Sequence, residues 1–191
     1  MKTTSVSLIN DLIARTQENL KTAKELKTRE LEAIQFKAAP EKWSALECVD
    51  HINQYATIYI SNISKGLTNS SRVASEEFNS NGLGNWFAKM MQPGQAGTKM
   101  KTFKSKNPNG KTVSPLVLDT LEKDQFTLLE LLEASKSKNL KKTKVATDFG
   151  AWLSLSLGDS LRIIVYHNQR HLQQAQNSIN AYYSAQKAAM A

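Results

Sequence analysis

"SALECVDHINQYATIYISNISKGL", residues 44–67, is the stretch from which the fold can be read. Ser44 stands three residues before Glu47, the S-x-x-E pattern of a capping box. In that box the serine oxygen accepts from an exposed N–H of the first turn, and the glutamate reaches back to the cap's own N–H. The pattern predicts a helix opening at Ser44 and closing near Gly66.

Upstream, Val6, Ile9, Ile13, Thr16, Leu20 and Ala23 recur at steps of three and four, the spacing of an amphipathic helix with one buried stripe. Pro40 ends any continuation, and "APEKW" (39–43) connects to Ser44. Downstream, residues 69–112 read as a long irregular connection punctuated by Gly, Asn, Ser and Pro, in which "GNWFAKMM" (84–91) has the composition for two helical turns. A connection of this length inside a compact domain often carries function. Within it, Trp86, Phe87, Met90 and Met91 are expected to cap the helices or to form a lid. A third helix opens at Ser114 with Pro115 in its first turn, and Leu118, Leu121, Gln125, Leu128 and Leu132 form its stripe. "KVATDFGAWLSLS" (144–156) is extended in part, and a last helix follows Ser156, with Asp159 as a second acidic capping partner, towards Tyr183. Four long helices predict an all-α fold, a four-helix bundle formed by residues 1–191 as a single domain.

Composition narrows the function. No apolar run approaches the roughly 20 residues of a membrane-spanning helix, and the N-terminus lacks the apolar core of a signal peptide. With a single cysteine, Cys48, no internal disulfide framework is available, so a cytoplasmic protein is expected. The net charge is +8, and lysines concentrate in two runs, one from Lys99 through Lys101, Lys104 and Lys106 to Lys111, the other from Lys136 through Lys138, Lys141 and Lys142 to Lys144. Only Phe103 and Phe149 accompany them, too few aromatic platforms for single-stranded nucleic acid. They read as solvated loops, or as charge that steers an anionic small molecule, with neither nucleic acid nor membrane expected as a partner.

The chain has three histidines. His167 and His171 lie four apart on the last helix and so share a face. His51, on the second helix, is the remaining candidate for a site that takes three protein ligands and leaves one position open. Taken alone, the pair is the commoner mark of a solvated helix. Asn168 follows His167 where a zinc metalloprotease needs Glu, and the Glu-x-x-His pairs of di-iron bundles are missing.

Two stretches taken together resemble a known family. "EKWSALECVDHINQY" (41–55) is similar to the opening of helix two in the DinB/YfiT-like family of inferred metalloenzymes. "LSLGDSLRIIVYHNQRHLQQAQ" (155–176) is similar to that family's fourth helix, with its leucine–glycine–acid opening and H-x-x-x-H. The first and third helices agree only as amphipathic helices. The resemblance implies a four-helix bundle holding one divalent metal, nickel or zinc, through His51, His167 and His171, with Trp43 and Glu47 as structural parts of the motif. It also implies a small-molecule substrate, with a low-molecular-weight thiol as a candidate, and a homodimer.

Such a metal would acidify a water or a thiol, so a metal-dependent transferase and a metal-dependent hydrolase are both open. A third alternative is a non-catalytic bundle that binds metal or a partner. Glu47, Asp50 and Asp159 are the acids nearest the histidines in sequence, and none is placed as an obvious general base; that favours thiol transfer slightly. Cys48 is expected to be a buried inert thiol, Tyr55 and Tyr166 to pack, and Arg162 and Arg170 to face water or an anionic substrate.

Overall fold

The computed structural model describes residues 1–80, 82–94, 102–147 and 150–190, and of residues 150–152 the backbone only. Lys99, Lys101 and Phe149 of the expectations above lie outside these residues. The described elements are, in order, β1 (Lys2–Thr4), α1 (Ser5–Lys27), α2 (Leu31–Gln35), α3 (Ala45–Asn69), β2 (Glu77–Asn79), α4 (Gly82–Met91), a single 3-10 turn at Lys104–Lys106, α5 (Val117–Ser135), β3 (Lys144–Thr147), β4 (Gly150–Ser156) and α6 (Leu157–Ala189). The chain is mostly helical, but not purely so. β1 pairs antiparallel with β2 and β3 with β4, making two small sheets that an all-α reading leaves out.

The Ser44 capping box forms as expected, and at Ser156 the serine half of the second one forms. Ser44 accepts from the Glu47 N–H while Glu47 Oε2 accepts from the Ser44 N–H at 2.8 Å. Ser156 accepts from the Asp159 N–H. The α5 stripe is also as read, with Leu118, Leu121, Gln125, Leu128 and Leu132 all buried. The α1 stripe is rotated from its expected position. Leu8, Ile9, Leu12, Thr16, Asn19, Ala23 and Leu26 are buried, whereas Val6 is exposed and Ile13 and Leu20 are only half-buried. Helix α1 also stops at Lys27, well before Pro40, and the short α2 fills the gap.

Gly66 does not end its helix. It lies inside α3, where a Cβ would stand 2.9 Å from the Lys144 carbonyl oxygen and 3.1 Å from a Val145 methyl. The missing side chain lets strand β3 lie directly on the helix.

The long helices pack in a closed circuit, α3 against α5 and α6, and α1 against the same two. Their apolar side chains form two clusters rather than one. Leu12, Tyr59, Leu128 and Val165 belong to the first, and Ala23, Ile52, Leu121 and Leu172 to the second. Between them, at matching heights, lie the buried polar residues Thr16 and Asn19 of α1, Gln125 of α5 and Asn168 of α6. Both amide atoms of Gln125 are buried without a hydrogen-bond partner among the described residues.

α4 is anchored by charge. Arg162, 2 % exposed, donates to Asp159 at 2.9 Å, to Ser80 at 2.9 Å and to Asn85 at 3.2 Å. Gly84 closes the gap, since a Cβ there would meet the Asp159 carboxylate at 2.5 Å. Arg162 was expected at the surface; pairing and burial go together because a lone guanidinium could not leave water.

Gly66→Ala tests the close approach. In an unobstructed helix this change stabilises by about 1 kcal/mol, but here the new methyl meets backbone and costs about 1–3 kcal/mol. A lower thermal midpoint is the expected result, and a raised one would show that β3 can move aside.

Candidate metal centre

The three histidines converge. His51 projects from α3, two turns past its cap, and His167 and His171 from one face of α6. One ring nitrogen from each lies within 4.8 Å of the other two. The Nε2 atoms of His51 and His167 are 3.3 Å apart. Two nitrogens about 2.1 Å from a tetrahedral ion lie about 3.4 Å apart, so this pair already has ligand spacing. The third nitrogen needs about 1.5 Å of inward movement at the widest spacing to match. The donor set therefore fits a divalent metal ion.

Neighbours orient two of the rings. His51 Nδ1 lies 2.9 Å from the Lys106 carbonyl oxygen, which can only accept, so Nδ1 carries the proton and Nε2 is left with its lone pair. His171 Nδ1 lies 3.0 Å from Gln174 Oε1, and donates to it in the same way. His167 Nδ1 is buried, and the neighbouring Asn168 side chain favours its charged form against the effect of burial. The Trp43 ring stacks on His171 with centroids 5.7 Å apart and leans on His51 at 4.8 Å. Tyr55, one turn beyond His51, packs on His51 at 5.0 Å and on His167 at 4.8 Å. Trp43 was expected only to staple the start of the helix; it also roofs the histidines.

Burial makes the cluster neutral. It lowers His51 below the ordinary 6.5, against the opposing hydrogen bond to Lys106. It holds His167 well below that value, helped by the nearby His171 and His51. His171 falls to about 3, again through burial first and His51 second. Neutral imidazole is the form that ligates a metal.

The histidines open on a cavity of about 670 Å³. Its wall includes Phe87 and Met91 of α4, so that segment reaches the site rather than merely covering the helix ends. Arg170 also lines it, with Nη1 donating to the Met90 carbonyl at 2.9 Å. The neighbouring acids are engaged elsewhere. Glu47 Oε1 accepts from Lys37 and from the Gly110 N–H, Asp50 accepts from Gln54, and Asp159 pairs with Arg162. Cys48 is buried, and burial pushes its thiol far above the ordinary range. Tyr166 is buried as expected, its ring beside Arg15 and Arg162.

Sequence reasoning missed Lys106. Its run was read as solvated loop, yet its carbonyl fixes the His51 tautomer and its ammonium lies 5.8 Å from the Tyr55 ring centroid. A backbone carbonyl has no signature in a sequence, and only the fold of the long connection reveals it.

A mostly helical chain that gathers three buried histidines from two helices beside a cavity has the features of a metal-binding helical protein. The model of the DinB superfamily matches residues 12–175, and the chain belongs to that superfamily. No curated protein and no solved structure gives a match. No described helix is long and apolar enough to cross a membrane.

The histidines set a pH dependence for the metal-free protein. Their folded pKa values lie below the unfolded value near 6.5, so the unfolded chain takes up protons first as pH falls. Their contribution to stability is intact above pH 6.5 and drains away towards the folded values, about 3 for His171. Urea unfolding in the presence of a chelator is expected to give a lower midpoint at pH 5.5 than at pH 7.5. His171→Asn should shrink that difference.

Proposed function

We propose that this chain is a divalent-metal-dependent enzyme acting on a small molecule. Its scaffold is a four-helix bundle of α1, α3, α5 and α6, and His51, His167 and His171 hold nickel or zinc. The observation that supports this most is the convergence of three uncharged imidazoles at the wall of a 670 Å³ cavity. A divalent ion held by neutral ligands alone keeps its full charge and acidifies a water or a thiol that reaches it.

The protein's own residues supply the rest. Lys106 and Gln174 set the ring orientations of His51 and His171, and Trp43 and Tyr55 screen the histidines with aromatic surface. Among the described residues no Cys, Asp or Glu joins the three histidines, which leaves room for an exogenous ligand. The acids close in sequence serve caps, hydrogen bonds and ion pairs, and the one acid among the described residues of the cavity wall, Glu41, is exposed. A hydrolase needs a base to manage the proton of its water, whereas a thiol ionised by the ion does not. The reading therefore places thiol S-transfer ahead of hydrolysis.

Elemental analysis of untagged protein is expected to find about one nickel or zinc per chain, and His167→Ala should lose it. Metal added to the wild type should raise its thermal midpoint while leaving the variant unmoved. Metal-free protein that takes up none of these ions would sink the reading.

A further inference from the structure

The cavity is larger than a metal site requires, and its residues are unevenly placed. On α3 its wall steps from His51 to Tyr55 to Tyr59, and on α6 from His171 to His167 to Ile163. Each walk covers eight residues, about 12 Å of helix, and the two run in opposite sequence directions from the same starting point. The cavity thus follows both helices away from the histidines. At its far end the lining is mostly apolar, with Ile163 and Leu155 buried and Phe87 and Met91 half-buried around it, and the hydroxyl of Thr147, the polar residue there, is spent on the Leu153 carbonyl.

This far wall is held in place. The Arg162 network fixes the start of α4 through Asn85 and Ser80, and Arg170 binds the Met90 carbonyl at its end. An apolar recess fixed in this way is preorganised for an apolar group, which gains by leaving water without first having to order the protein.

We infer that the substrate is an amphiphile: its polar head reaches the histidines, and its tail, an aryl group or an alkyl chain of roughly eight carbons, lies between α3 and α6 beneath Phe87, Met91 and Leu155. The head's placement rests on the metal-dependent reading above; the tail's does not. Phe87 and Met91 are then specificity-determining residues.

Straight-chain hydroxamic acids from two to eight carbons test it, because the metal-seeking head stays constant while the tail grows. Their affinities would be measured by calorimetry on zinc-loaded and on chelated protein. Burial of each added methylene should tighten binding about fourfold. Met91→Trp, which fills the recess, should weaken octanohydroxamate at least tenfold and leave acetohydroxamate within about twofold on the zinc-loaded protein. Affinity independent of chain length overturns the tail even where zinc still matters, and so does octanohydroxamate binding that ignores Met91→Trp. Chain-length dependence that survives in chelated protein, with no gain from zinc, removes the metal-held head and leaves the tail standing. No binding of octanohydroxamate to either form overturns the proposal. If Met91→Trp fails to fold, Met91→Ala takes its place, with a loss of at least threefold for octanohydroxamate expected and no loss counting against the tail.

Discussion

One buried carboxylate organises this molecule around its histidines. Glu47, 4 % exposed, closes the capping box of α3 with one oxygen. With the other it accepts from Lys37, which precedes the helix, and from the Gly110 N–H, near the end of the long connection. Three distant pieces of chain therefore meet at a single charge. The same connection brings the Lys106 carbonyl to His51. A carboxylate buried this far is tolerable only because donors surround it, and once surrounded it fixes both the start of the helix and the loop that orients the first histidine.

The parts of the fold that were legible in the sequence are those with local causes. A helix cap is satisfied within four residues, and the caps at Ser44 and Ser156 are at their predicted places. The α5 stripe was legible because all five of its spaced residues face the interior. Failures came where distant chain decides. The α1 stripe was misplaced because the helix buries Asn19, whose amide reaches the Val165 carbonyl on α6, and no periodicity of apolar residues marks such a position. Gly66 looked like a helix end because a strand nearly eighty residues later is what excludes its side chain.

The site divides the same way. The spacing of His167 and His171 is local and easily seen, but by itself it did not separate a ligand pair from a wet surface. Resemblance to a family joined them to His51, and the structure brings all three together. Arg162 shows the reverse case. As an arginine on a helix it was expected to face water or an anionic substrate, yet Ser80 and Asn85, both from the irregular connection, enclose it. Local reasoning finds which residues a helix presents and stops short of what another segment lays over them.

The division of the interior into two apolar clusters bears on how the protein moves. Cooperative opening follows continuous apolar packing, and here that continuity is interrupted at the height of Thr16, Asn19, Gln125 and Asn168. A buried amide such as Gln125, left without partners among the described residues, costs of order 1–3 kcal/mol, so this seam is the weakest course in the stack. His167 stands in the seam, between Val165 of one cluster and Leu172 of the other. An ion held as proposed by His51, His167 and His171 would tie α3 to α6 at the level of this seam, where apolar packing between them is interrupted.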